Sequence, residues 1–147
     1  MTMHRRPLGW GRTLAAVGGV LMLVGCVLPW WQISQLGGLP PLQGNGLEGS
    51  GILVLLAGIG TLLLVALPYA VGDRPTAIDR WEAYALLAVI GWVGLGWRVF
   101  ELLNVGAFRF DEPAQVITNG VGLWLAGIGL AILSRAAYQM TREPHYR

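Results

Sequence analysis

Four separate stretches of the chain are apolar over about twenty residues each, and this pattern constrains the fold more than any other feature. Crossing about 30 Å of hydrocarbon takes roughly 20 helical residues. Because the bilayer offers no partners for free backbone N–H and C=O groups, such stretches must be helical. The sequence therefore predicts one transmembrane domain, residues 1–147, with spans at about 13–31, 51–71, 81–103 and 120–138.

The composition agrees with a chain whose solvent is mostly lipid. Hydrophobic residues make up 54% of the chain and charged residues only 12%, whereas soluble domains carry about 25% charged residues. The ten basic residues are all Arg and are dispersed, unlike the clustered basic face of a nucleic-acid-binding protein. We therefore expect the lipid bilayer as the main partner and no nucleic acid. Other membrane protein subunits, or a second copy of the chain, stay open as protein partners.

The arginines are distributed unequally between the two sides of the predicted spans. One side would hold only Arg109. The other would hold Arg5, Arg6, Arg12, Arg74, Arg80, Arg135, Arg142 and Arg147. Cytoplasmic loops carry the excess of basic residues, and the lack of Lys beside 22 Gly is typical of a GC-rich bacterial genome. We expect a multi-pass protein of the bacterial plasma membrane with both termini in the cytoplasm.

Cys26 is the only cysteine, which excludes an intrachain disulfide and a cysteine-based metal motif. Together with Leu23-Val24-Gly25 it fits a bacterial lipobox, in which the cysteine becomes a lipidated N-terminus. However, the residues after Cys26 continue the hydrophobic run as far as Trp31 instead of opening a polar tether. We therefore expect an unmodified thiol inside the first helix, with lipidation as the alternative.

The two halves of the chain align at a single offset of 69 residues. Leu56-Ala57-Gly58-Ile59-Gly60 falls on Leu125-Ala126-Gly127-Ile128-Gly129. Each half would then be one helical hairpin, and two crossings per unit give repeats of the same orientation. The predicted fold class is an all-α membrane protein, a four-transmembrane-helix bundle, with two tandem helical hairpins in parallel repeat as its finer arrangement.

Small residues recur at spacings of three and four within the predicted helices. The stripes are Ala15, Gly18, Met22, Gly25 and Pro29; Tyr84, Leu87, Gly91, Gly94, Arg98 and Glu101; Gly122 and Ala126; and Gly127 and Ala131. Helices associate in lipid through close van der Waals packing, which small residues permit. These stripes predict helix–helix contacts within one chain, with a dimer interface as the alternative.

Arg98 and Glu101 are the only ionisable pair well inside a predicted span. Residues three apart meet on one helix face, and intramembrane charges face the protein interior or mark function. We favour a structural ion pair near the outer boundary over a ligand or transport site. Further candidates on the outer face are Trp30, Trp31, Glu48, Arg109, Asp111 and Glu112, which would shape a shallow external pocket.

Catalytic and metal-binding patterns are missing from the sequence. His4 and His145 lie in the terminal tails, and no His, Cys, Asp or Glu cluster has the spacing of metal ligands. Neither a serine nor the cysteine stands beside a plausible base. We expect no enzymatic activity, no catalytic residues, no metal and no cofactor.

The stretch from Gly18 to Leu64 resembles a group of small four-helix bacterial membrane proteins of uncharacterised activity. Their shared pattern is a first helix ending in Leu-Pro-Trp, here Leu28-Pro29-Trp30, and a Gly-led second helix, here Gly49-Ser50-Gly51. The layout is superficially similar to that of claudins, but their first-loop cysteine pair is missing. It also departs from small multidrug transporters, because the first span contains no acidic residue.

The sequence thus favours a non-enzymatic polytopic membrane protein, an accessory or assembly subunit of a membrane complex. The alternative is a small transporter or ligand-binding membrane protein that uses the Arg98 and Glu101 region.

Overall fold

Four long helices form most of the computed structural model, which describes residues 9–33, 42–71, 80–105 and 120–143. They are α1 (Trp10–Val27), α2 (Ile52–Val71), α3 (Trp81–Val105) and α4 (Val121–Met140). Each is long and apolar enough to cross a membrane. The predicted four-helix transmembrane bundle is confirmed, and the chain is a multi-pass membrane protein.

The first helix differs from the predicted span, since α1 ends at Val27 and not at Trp31. Pro29 has no amide hydrogen and its ring crowds the carbonyl of Gly25, so the helix stops before it. Leu28 takes an extended conformation, with φ −75° and ψ 157°. Hydropathy extends the first span to Trp31, because the residues after Pro29 are still apolar.

A two-stranded antiparallel sheet follows α1 instead of an irregular connector. Strand β1 (Pro29–Ile33) pairs with β2 (Leu42–Asn45). The amide of Gly46 donates to the carbonyl of Cys26 at 2.9 Å, which ties the sheet to the end of α1. A single 3₁₀ turn, Gly49–Gly51, then leads into α2.

The helices form a ring in which each one packs against its two neighbours, and the contact between α1 and α4 is the most extensive. One end of the ring carries the β1–β2 sheet and the start of α2, and we name it the hairpin end. The opposite end carries Arg12, Arg80 and Arg142, and we name it the arginine end.

Glycines bring α1 and α4 into direct backbone contact. A methyl group on Gly18 would lie 2.8 Å from the carbonyl oxygen of Gly129, and one on Gly25 would lie 2.6 Å from the amide nitrogen of Ala126. The stripe from Ala15 to Gly25 is buried, as the spacing predicts.

Two of the other predicted contacts have different outcomes. Gly122 and Ala126 are buried in the α1–α4 contact. By contrast, Ala131 is exposed and Gly127 is half-buried, so that pair lies largely outside the bundle.

The ring order is what two tandem hairpins would produce, but the two halves differ at the hairpin end. An offset of 69 residues places β1 on the last turns of α3, which stay helical to Val105. The duplication therefore remains a prediction.

Candidate functional site

The predicted ion pair lies on α3 at the hairpin end. Arg98 Nη1 donates to Glu101 Oε2 at 3.0 Å. The two residues are about one turn apart on a single helix face, which brings their side chains together. Gly94, one turn before Arg98, would place a methyl group 2.5 Å from Leu53 Cβ of α2, so this face of α3 is turned toward α2.

The segment that leads into α2 completes the cluster. Ser50 Oγ donates to Glu101 Oε2 at 3.3 Å, and Glu48 Oε2 lies 3.6 Å from Arg98 Nη2. One guanidinium is thus shared by two carboxylates, one from α3 and one from the loop before α2. We name these four residues the Arg98 cluster: Arg98, Glu101, Glu48 and Ser50.

Gly49 lets the loop pass close to the Arg98 side chain. Its φ is +58°, a conformation that side chains other than hydrogen disfavour. A methyl group on Gly49 would lie 2.8 Å from Arg98 Nη1. The backbone conformation therefore favours glycine at this position, and the loop passes close to the guanidinium of Arg98.

Exposure increases from Arg98 outward through the cluster. The side chain of Arg98 is 14% exposed, that of Glu101 33% and that of Glu48 59%. Arg98 Nε is buried and has no hydrogen-bond partner among the described residues. The cluster can therefore clamp α3 to the start of α2, and it opens toward the surface through Glu48.

The outer-face candidates do not assemble into one pocket in the described part of the chain. Trp30 is fully buried, and its Nε1 donates to the carbonyl of Gly25 at 2.8 Å. The strand register shifts between Pro29 and Trp31, so Trp30 has no partner across the ladder and turns into the bundle. The expectation that Trp30 lines an external pocket is therefore wrong.

Of the remaining candidates, Glu48 belongs to the Arg98 cluster. Trp31 is half-buried and packs against Gly44. Arg109, Asp111 and Glu112 lie outside the residues that the structure describes.

A second polar set, which is not among the predicted site residues, lies between α3 and α4 near the arginine end. Trp92 Nε1 donates to Ser134 Oγ at 3.0 Å. Arg142 Nη2 donates to the Tyr138 hydroxyl at 2.6 Å. The guanidinium of Arg135 also stands over the Tyr138 ring, 5.7 Å from its centre. The spacing of four between Ser134, Tyr138 and Arg142 is the sequence signal for this set.

Within residues 9–33, 42–71, 80–105 and 120–143, no three His, Cys, Asp or Glu side chains come together as a metal site would require. Comparison of the chain with protein-family models, curated proteins and solved structures found no match. The geometry of the bundle is therefore the basis for inferring its function.

Proposed function

We propose that the chain is a non-enzymatic protein of the bacterial plasma membrane that serves as an accessory or assembly subunit of a larger membrane complex. The observation that supports this role is the unequal burial of the four helices. Only 22% of the α3 span is buried in the bundle, against 33% of the α2 span and 44% of the α4 span. α3 thus has the largest share of surface left for lipid or for another subunit.

The uncovered face of α3 has the shape that a neighbouring helix requires. A methyl group on Gly96 would meet nothing within 4 Å, so this glycine forms an open notch. Val93, Trp97 and Phe100 beside it are each more than half exposed. Small residues let helices approach closely in lipid, and aromatic residues are enriched at the centres of protein interfaces. We name Val93, Gly96, Trp97 and Phe100 the notch face.

Site-specific crosslinking in the native membrane tests this proposal. A photoreactive amino acid at Val93 should give a discrete crosslinked protein, while the same group at Leu63, an equally lipid-accessible site on α2, should not. Gly96→Leu should abolish the crosslink and co-purification in mild detergent. Ala131→Leu, which adds bulk to the exposed side of α4, should leave both intact. Equal crosslinking from Val93 and Leu63 would refute the assignment.

A ligand-binding or transport role at the Arg98 cluster is the second candidate. Its support is the buried Arg98 Nε, which has no partner among the described residues, next to the exposed carboxylate of Glu48. Arg98→Gln would then remain folded in detergent but lose a cellular phenotype or a bound molecule. This candidate is eliminated if Arg98→Gln loses stability and if every variant of the cluster that stays folded keeps the phenotype and the bound molecule.

A further inference from the structure

We infer that the groove between α3 and α4 at the arginine end binds an anionic phospholipid, with one acyl chain along the groove and the headgroup at its mouth. The inference does not rest on the accessory role, because the groove runs along α3 from Trp81 to Trp92, whereas the notch face lies further along α3 toward the hairpin end. It rests on the groove's lining, its length and the charges beside it.

The groove has an apolar lining and a volume of about 280 Å³. Its floor is made by small residues, with Ala88 and Ala137 almost completely buried. Its sides are Trp81, Val89 and Trp92 on α3 and Tyr138 on α4. A channel with small residues below and aromatic residues at its sides fits a flexible hydrocarbon chain.

The length of the groove corresponds to a single leaflet. Trp81 begins α3 at the arginine end, and Trp92 lies at the deep end of the groove. At a rise of 1.5 Å per residue, these two positions are about 16 Å apart along the helix. Half of a hydrocarbon core of about 30 Å is about 15 Å. The hydrogen bond from Trp92 to Ser134 bridges the two helices at this depth.

The charges at the mouth of the groove favour an anion. Arg142 stands over the ring of Tyr138 at 4.9 Å and Arg135 stands over it at 5.7 Å. Both side chains are exposed, and neither has a carboxylate partner within the described residues. Arg135 lies inside α4, and long basic side chains in such positions extend toward the membrane boundary, where headgroup phosphates lie.

The other charges near the mouth leave this balance positive. Arg80 is exposed just before Trp81, and Glu82 is exposed just after it. The carboxylate of Glu143 reaches toward α1, where it would lie 3.5 Å from a methyl group on Gly11. Among the described residues, three arginines and one glutamate are therefore exposed near the mouth, so an anionic headgroup is preferred over a zwitterionic one.

Native mass spectrometry of the full chain in detergent tests the inference, with phosphatidylglycerol and phosphatidylcholine added in equal amounts. The wild type should retain phosphatidylglycerol preferentially. Each arginine near a membrane surface contributes roughly a fivefold increase in affinity. The double variant Arg135→Gln, Arg142→Gln should therefore bind phosphatidylglycerol roughly 25-fold more weakly and phosphatidylcholine about as before.

Two further variants distinguish lipid binding in the groove from non-specific attraction of anionic lipid to the positive charges of the protein. Arg5→Gln with Arg6→Gln removes the same charge from the N-terminal tail and should retain the preference for phosphatidylglycerol. Ala85→Leu fills the groove and should weaken both lipids. The inference is overturned if the wild type retains the two lipids equally, if the tail variant loses as much as the groove variant, or if a folded Ala85→Leu variant binds normally. Arg135 and Arg142 are both exposed, so their double variant keeps the test decisive even if Ala85→Leu fails to fold.

Discussion

Arg98 illustrates, at the scale of one residue, how a charge is accommodated between helices. Its guanidinium lies between α3 and the segment before α2, with one carboxylate at 3.0 Å and a second at 3.6 Å. Removing one member of a buried pair leaves the other charge without compensation. Glu48 and Glu101 are partly exposed, so water can hydrate them when Arg98 is removed. Arg98 is only 14% exposed, so water hydrates it less when a carboxylate is removed.

Melting temperatures of single and double variants in detergent test how these side chains stabilise the bundle. Arg98→Ala should lower the melting temperature most, because it removes both ion pairs together with the largely buried stem of the arginine side chain. Glu101→Ala should lower it less, since Glu48 still faces Arg98, and Glu48→Gln should lower it least. The loss in the Arg98→Ala, Glu101→Ala variant should be smaller than the sum of the single losses. Strictly additive losses would show that the two side chains do not interact.

Cys26 should remain an unmodified thiol. Its side chain is fully buried in the bundle, and its carbonyl accepts the hydrogen bond from Gly46 that anchors the sheet. Protein produced in a bacterial host should therefore show the unmodified intact mass and should react with a thiol reagent only after unfolding. A mass corresponding to cleavage before Cys26 with added acyl chains would establish lipidation instead.

At the scale of elements, glycine has opposite roles in two helices of the bundle. In α1, a methyl group on Gly25 would strike the backbone of α4 at 2.6 Å. In α3, Gly96 has open space around it and still carries the entropic cost of a helical glycine.

Alanine substitutions at these two glycines should therefore change the stability in opposite directions. Gly25→Ala overpacks the contact between α1 and α4, and overpacking costs about 1–3 kcal/mol. Gly96→Ala should stabilise the isolated chain by up to about 1 kcal/mol, because alanine is the better helix former. Equilibrium unfolding in detergent measures both changes. A destabilised Gly96→Ala variant would mean that another surface already covers the notch face in the purified protein.

The packing of the β1–β2 sheet on the helices depends on Trp30 of β1, whose side chain is fully buried. Trp30→Ala should cost about 3–5 kcal/mol as a large core truncation. Trp30→Phe should cost less, about 1–3 kcal/mol, since it leaves the carbonyl of Gly25 without this donor. Trp124→Ala is the matched control, because Trp124 is exposed on α4 and should change stability by less than about 0.5 kcal/mol. Equal losses at positions 30 and 124 would contradict the buried position of Trp30.

The sequence predicts the helices well because lipid requires them, but it predicts the hairpin end poorly. Length and hydropathy determine where α2, α3 and α4 lie, and the missing amide of Pro29 determines where α1 stops. Leu28 to Trp31 continues an apolar run, so hydropathy alone cannot distinguish a strand that covers the bundle from another helical turn. The spacing of Arg98 and Glu101 predicts their meeting. The approach of Glu48 and Ser50 depends on the tertiary path through Gly49, which no local pattern shows.

At the scale of the whole molecule, the two ends of the bundle differ in charge. Arg12, Arg80 and Arg142 share the arginine end, whereas Arg98 lies with its carboxylates at the hairpin end. Basic residues accumulate on the cytoplasmic side of membrane proteins, so we expect the arginine end to face the cytoplasm. Compartment-reporting fusions at Met1 and at Arg147 should both give a cytoplasmic signal. A periplasmic signal from either fusion would contradict this orientation.

The backbone contact between α1 and α4 also has a consequence for biosynthesis. It joins helices that are separated in sequence by the whole of α2 and α3, so it cannot form while the earlier helices are leaving the insertion machinery. Until α4 enters the bilayer, the glycine face of α1 must remain against lipid or against an insertion factor, with Gly18 and Gly25 uncovered. α4, which is synthesised after the other three helices, therefore closes the ring. A nascent chain that stalls before α4 would lie in the membrane without its closest packing surface.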